Sequence, residues 1–194
     1  MGAEACAVGA QRVRGGHTER APARREAHVA VDTSIIGKPT SARRVRVERG
    51  PIEFFASALE DENPVYHDAG AARAAGFAGV PAPPTFSFVM THMGARAEEQ
   101  PPDPTGGTNP MFELMGNLMR GGGLVLHGEQ EFVYHRPIVD GDVLDGEGRV
   151  EDVYEKESKG SIMTFIVIET VWRDAGSGEP VVTERFNLIH RRKA

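Results

Sequence analysis

The sequence lacks two features that would place a protein outside a reducing, aqueous compartment. Its only cysteine is Cys6, and no stretch of its 194 residues is apolar for the roughly 18 positions that a membrane-spanning helix needs. A single thiol excludes an intramolecular disulfide and a metal site built from several thiolates. The missing apolar stretch excludes a transmembrane helix. We therefore expect a cytoplasmic protein that has no membrane partner.

Positive charge is also scarce. The chain has 22 Lys and Arg against 28 Asp and Glu, and its formal net charge is -6. A nucleic-acid groove needs clustered Lys and Arg to contact phosphates, and here these residues are spread thinly, so we expect no nucleic-acid partner. Because 40% of the residues are hydrophobic, the chain can bury a core of its own, and its length favours a single domain.

The first 30 residues differ from the rest of the chain. They are rich in Ala, Gly and Arg, with five Arg against three Glu, and they show neither a signal-peptide core nor a steady hydrophobic period. Subtracting their net charge of +2 from -6 leaves -8 for residues 31–194. We predict a disordered leader over residues 1–30 and one folded domain over 31–194. The Arg and Ala content leaves an organellar transit peptide as an alternative.

Residues 61–68 read Asp-Glu-Asn-Pro-Val-Tyr-His-Asp and set a carboxylate and an imidazole around one Asn-Pro turn. Proton transfer next to a carbonyl needs an acid and a base within reach of one substrate, and a turn brings Asp61 and His67 together where a straight element would not. The structural alternative is that Asp61 caps the turn, Asn63 and Pro64 end a helix, and His67 is simply exposed.

Short helices are predicted on both sides of this loop. Apolar residues spaced as on one helix face begin after Pro51, and the alanines of residues 68–75 predict a second helix. Pro84 suits the first turn of a third helix, which is apolar on all sides and is therefore expected to be buried. Its Met and Phe side chains are interpreted as core packing.

Strand patterns come before and after the helices. Two valines alternate with charged residues over 42–49, the period of a half-exposed strand. Four longer runs follow Gly123, and we expect them to form a continuous antiparallel meander with the third run, apolar on both faces, at its centre. The runs are residues 124–136, 142–156, 161–173 and 180–190. A buried helix ahead of such a sheet predicts an α+β fold.

Residues 98–123 are a Pro- and Gly-rich excursion with one or two helical turns expected near residues 111–119. Their apolar side chains either pack on the core or cover an apolar ligand, and the sequence leaves both open. They are Met111, Leu114, Met115, Leu118 and Met119.

The order of these blocks resembles the MaoC-like hydratase/dehydratase family of hot-dog folds, and more narrowly its N-terminal type, the FAS1-like dehydratase domain. The resemblance spans most of residues 31–190 and implies a long central helix wrapped by a curved antiparallel sheet. Three blocks carry it: Phe-Ala-Ser-Ala-Leu-Glu-Asp-Glu-Asn-Pro-Val-Tyr-His-Asp at 55–68, Ala-Pro-Pro-Thr-Phe at 82–86, and His-Gly-Glu-Gln-Glu-Phe at 127–132 with Arg136-Pro137 and Gly141-Asp142.

Members of this family add water to, or remove it from, acyl thioesters of coenzyme A or acyl carrier protein, with R stereochemistry at the 3-hydroxyl. The resemblance implies this activity, in fatty-acid metabolism, without a cofactor or metal. Asp61 matches the carboxylate that handles water at the β-carbon, and Thr85 falls where a backbone N–H binds the thioester oxygen. Pro84 has no N–H to give. The implied substrate-binding residues are Asn63, Tyr66, Pro84, Thr85 and Phe86.

The loop departs from the family pattern at the position of the histidine that serves as the catalytic base. The family places His five residues after Asp, where this sequence has Tyr66, and His67 comes one residue later. Such a slip rotates a helical side chain by about 100°, and a phenol is a poor base at neutral pH. Two functions therefore stay open. One is an R-specific enoyl-thioester hydratase or 3-hydroxyacyl-thioester dehydratase with Asp61 and His67 as the catalytic pair. The other is a non-catalytic acyl-binding subunit that pairs with a separate catalytic MaoC-type subunit.

Either function implies a homodimer or a heterodimer with another hot-dog subunit, joined edge to edge between sheets. A metal site is a further alternative, because four possible ligands lie at strand spacing on one predicted face. A water-exposed strand face has the same appearance, and we expect no metal. The four residues are His127, Glu129, Glu131 and His135.

Overall fold

The structure is a computed structural model that describes residues 31–93 and 97–194. The predicted leader, residues 1–30, lies outside the described residues. The strands are β1 (Pro39–Arg46), β2 (Leu124–Tyr134), β3 (Val143–Ser158), β4 (Ser161–Asp174) and β5 (Pro180–Lys193). The helices are α1 (Arg49–Ala58), α2 (Ala69–Ala74), α3 (Phe86–Met90) and α4 (Pro110–Arg120), with 3-10 turns at Pro64–Tyr66 and Ala97–Glu99.

The strands form one antiparallel sheet in the order β1-β3-β4-β5-β2. β4 lies between β3 and β5, which confirms its prediction as a central strand. The predicted meander holds for β3, β4 and β5 but is wrong for β2, which pairs with β5. Arg136 and Pro137 follow β2, and because Pro has no N–H the ladder ends there instead of turning into a hairpin.

Helices α1, α2 and α3 cover one face of the sheet, which we call the inner face. Ile52 of α1, Ala72 of α2 and Phe86 of α3 are buried in one apolar cluster with Trp172 of β4. The apolar spacing that predicted α1 therefore reflects a true buried face.

The central helix is shorter than expected, since α3 has five residues. Beyond Met90 the backbone forms hydrogen bonds between residues three apart, as in a 3-10 helix. The His92 N–H, for example, donates to the Val89 carbonyl. The Thr91 hydroxyl donates to the Phe88 carbonyl at 2.6 Å. Both bonds compete with continuation of the α-helix.

Helix α4 confirms the helical turns predicted in the excursion. Its Leu114 is buried in a second apolar cluster with Val150, Val153, Ile166 and Ile168. Met111, Met115 and Leu118 pack against this cluster, and Met119 is exposed. The apolar side of α4 thus covers the sheet. None of the described helices is both long and apolar enough to cross a membrane.

Candidate functional site

The loop after α1 is held against α3. Phe55 of α1 meets Phe86 of α3 edge to face, with ring centroids 5.7 Å apart. Just past the end of α1, Glu60 adopts a φ of 56°, the left-handed conformation that commonly ends a helix. This turn delivers Asp61 to the surface next to the start of the 3-10 turn at Pro64–Tyr66.

Asp61 and Asn63 stabilise the loop itself. The Asp61 carboxylate accepts the Asn63 N–H at 3.0 Å, and the Asn63 side chain accepts the Val65 N–H at 3.2 Å. These side-chain bonds to the backbone two residues on are Asx turns. In this conformation the carboxylate has the capping role that the sequence offered as an alternative.

His67 folds back over the same turn. Its Nε2 lies 2.9 Å from the main-chain carbonyl oxygen of Asp61, so the neutral ring donates there and keeps its lone pair on Nδ1. The Arg49 guanidinium donates in turn to the His67 carbonyl. The structure therefore brings Asp61 and His67 together on one loop, but it joins them through the main chain, while the carboxylate bonds to Asn63.

Tyr66, at the position where the family resemblance implies a histidine, is half-buried. Burial raises the pKa of its phenol, and the negative charge of Asp61 raises that pKa further. The phenol therefore stays protonated at neutral pH and has a proton to donate, not a lone pair strong enough to remove one. It is no substitute for an imidazole base.

The N–H expected to bind a thioester oxygen already has a partner. Thr85 adopts a φ of 70° before α3, and its N–H donates to the Tyr134 hydroxyl at 2.8 Å. Pro84 is exposed and Phe86 is buried in the core. Tyr134 was missed by the sequence reasoning, because its strand position carries no sign that β2 ends beside α3.

A buried polar group lies under α3 and was also missed. The Glu184 carboxylate accepts the Ser87 hydroxyl at 2.8 Å and the Trp172 indole N–H at 3.3 Å. Burial raises the pKa of Glu184, and the two hydrogen bonds act in the opposite direction. In the sequence Glu184 follows the strand alternation of β5 and looks like any charged strand residue.

The four residues considered for a metal do not share a face. A bulge between His127 and Glu129 places His127 opposite Leu188 and Glu129 opposite Asn187, which are neighbours on opposite sides of β5. Glu131 pairs with Arg185 instead. Within residues 31–93 and 97–194 no three acidic, His or Cys side chains are grouped as metal ligands would be.

Comparison with known proteins identifies the family. The profile of the FAS1-like dehydratase domain region matches residues 34–184. The chain belongs to this family. A UPF0336 protein from Saccharopolyspora erythraea is 34% identical over 164 residues, which cover 83% of this chain and 92% of that protein. A probable enoyl-CoA hydratase alpha subunit from Thermomonospora curvata is 36% identical over 143 residues, 73% of this chain and 44% of that protein.

Among solved structures, a chain of the ChsH1-ChsH2 complex from Mycobacterium tuberculosis is 30% identical, with a TM-score of 0.63. The match covers 80% of this chain and 85% of that one. The expected α+β hot-dog fold and the MaoC-like resemblance are thereby confirmed. This FAS1-like dehydratase domain thus combines the family fold with a loop on which His67 bonds to the main chain of Asp61.

Proposed function

We propose that this chain is the acyl-binding subunit of a hydratase/dehydratase that acts on acyl thioesters, with R stereochemistry at the 3-hydroxyl. A second hot-dog subunit supplies the catalytic acid and base. The bond from His67 to the Asp61 carbonyl carries this proposal. One residue later than the family position, the His67 imidazole bonds to the main chain of its own loop and not to the Asp61 carboxylate. Coenzyme A and acyl carrier protein are both acceptable carriers, and the cytoplasm is the proposed compartment.

The two edges of the sheet differ in a way that supports a partner. At the β1 edge, the Gln100 amide bonds to both the N–H and the carbonyl of Arg44, and Asn109 donates to the Thr40 carbonyl. These side chains blunt the edge against a further strand. The excursion thus closes one side of the sheet.

At the other edge, β2 has no neighbouring strand beyond it in the described part of the chain. It exposes apolar side chains, with Leu124 57%, Leu126 37%, Val133 42% and Tyr134 44% exposed. An open, apolar edge strand is a ready template for pairing with another chain. We therefore assign β2 as the strand that meets the second subunit.

The test compares the chain alone with the chain co-expressed beside a hot-dog subunit that has the unshifted Asp-x-Asn-Pro-x-His loop, sought first among the neighbouring genes. Hydration of crotonyl-CoA is followed by loss of the enoyl absorbance, and assembly by light scattering. We expect background turnover alone and turnover at least about 100-fold higher in the complex, the smallest usual contribution of a positioned acid and base. Comparable turnover by the isolated chain would contradict the proposal.

The second candidate, a self-sufficient hydratase, is favoured by one observation: Asp61 and His67 share a loop, and Nδ1 of His67 keeps its lone pair. Under the proposal above, Asp61→Asn and His67→Ala each leave turnover of the complex within about threefold of the wild type. A working pair would instead lose about 100-fold or more. Glu62→Gln, on the same loop, and His135→Ala, on the segment after β2, are matched controls, because both side chains are exposed and neither is one of the proposed site residues.

A further inference from the structure

Four rings gather on the inner face between α3 and the open strand β2. Phe88 lies 5.7 Å from Phe186 and 5.9 Å from His127, and His127 lies 4.7 Å from Phe186, measured between ring centroids. His92 meets Phe88 edge to face at 5.5 Å. Both Phe rings are half-buried and both His rings are exposed. We call these four residues the ring cluster.

The ring cluster lies next to Thr85, where the family resemblance places the thioester and where the N–H donates to Tyr134 in this structure. Phe88 follows Thr85 by three residues, which is about 5 Å along a helix. On β2, Phe132 and Tyr134 stack at 6.1 Å between His127 and the Thr85 N–H, so aromatic side chains continue along the strand. Because β2 is the open edge strand of the sheet, a second subunit that pairs with it would cover these aromatic side chains. An acyl group held near Thr85 would then reach the cluster with its distal end.

We propose that the ring cluster binds the distal end of the acyl group and selects a planar ring, aromatic or fused, over a straight alkyl chain. The inference rests on the proposed function, which supplies the acyl thioester. Aromatic pairs in edge-to-face and tilted geometries contribute stabilisation beyond the buried area. These four rings already adopt such geometries, and the His92 and His127 rings are exposed. A rigid ring also loses fewer rotatable bonds on binding than an alkyl chain of equal carbon count.

The test measures binding, not turnover. Calorimetry compares 3-phenylpropanoyl-CoA with nonanoyl-CoA, which have equal acyl carbon counts and, being saturated, cannot be hydrated. The full-length chain is used in complex with its hot-dog partner. We expect the phenyl thioester to bind about three- to tenfold more tightly, which corresponds to one or two ring contacts.

Variants locate the preference. Phe88→Leu and Phe186→Leu, which keep an apolar side chain, should each reduce the affinity ratio of the two thioesters about threefold. Phe165→Leu is the matched control, because Phe165 stacks on Tyr154 and pairs with Ile189 on the opposite face of the sheet. Equal affinities of the wild-type complex for the two thioesters, or an affinity ratio that both variants leave unchanged, would overturn this inference and leave the proposed function standing. Failure of both thioesters to bind would overturn the proposed function together with it.

Discussion

Replacing Trp172 with alanine is expected to lower the free energy of unfolding by about 3–5 kcal/mol, the usual cost of removing a large buried aromatic side chain. Trp172 is 1% exposed and lies at the centre of the cluster that joins α1, α2 and α3 to the sheet. Its indole N–H also bonds to Glu184. The variant therefore leaves a cavity and removes a donor from a buried carboxylate. Urea denaturation followed by circular dichroism measures the loss.

The fit of the indole depends on the glycine opposite. Gly146 of β3 pairs with Trp172, and a Cβ at this position would lie 2.6 Å from two ring atoms. Gly146→Ala should therefore destabilise the protein as well, because a rigid ring in a packed core has little room to move. Gly116→Ala in α4 is the control; nothing lies within 4 Å of its Cβ position, and alanine should stabilise the helix by up to about 1 kcal/mol. Unchanged stability of both Trp172→Ala and Gly146→Ala would contradict this packing.

The second large effect is a dependence of stability on pH through Glu184. Burial holds the pKa of this carboxyl above its usual value near 4.5 in the folded protein. A raised folded pKa means that the folded state binds the proton more tightly than the unfolded state. The contribution of Glu184 is therefore fully present below the usual pKa and is lost as the pH rises through the raised folded value. Folding free energies measured from about pH 5 to about pH 8 should show this decline.

Glu184→Gln isolates this effect. The amide remains neutral, accepts from Trp172 and donates to Ser87, so both bonds to α3 and β4 are kept. We expect the variant to be more stable than the wild type at the alkaline end and to show a weaker decline. The exposed Glu179→Gln, which removes a charge outside the core, should leave the decline unchanged. A wild-type decline that Glu184→Gln retains in full would assign the effect to other groups.

Much of the fold followed from local patterns. The four long runs after Gly123, the turn residues between β3, β4 and β5, and the apolar faces of α1 and α4 all predicted elements that exist. These features depend on residues a few positions apart, where periodicity and turn chemistry act directly. The Asx turns of Asp61 and Asn63 belong to the same class.

The sequence by itself determined the family, the order of its elements and the loop that carries Asp61 and His67. Only the tertiary structure decided which groups meet: Tyr134 with Thr85, Glu184 with Ser87, and β2 with β5 instead of β3. Alternation along a strand shows which side chains share a face, but it does not specify which strand lies alongside or in what register. The contact of Tyr134 with Thr85 joins residues 49 positions apart in the sequence, and that of Glu184 with Ser87 joins residues 97 positions apart. Both contacts depend on which strands pair and in what register.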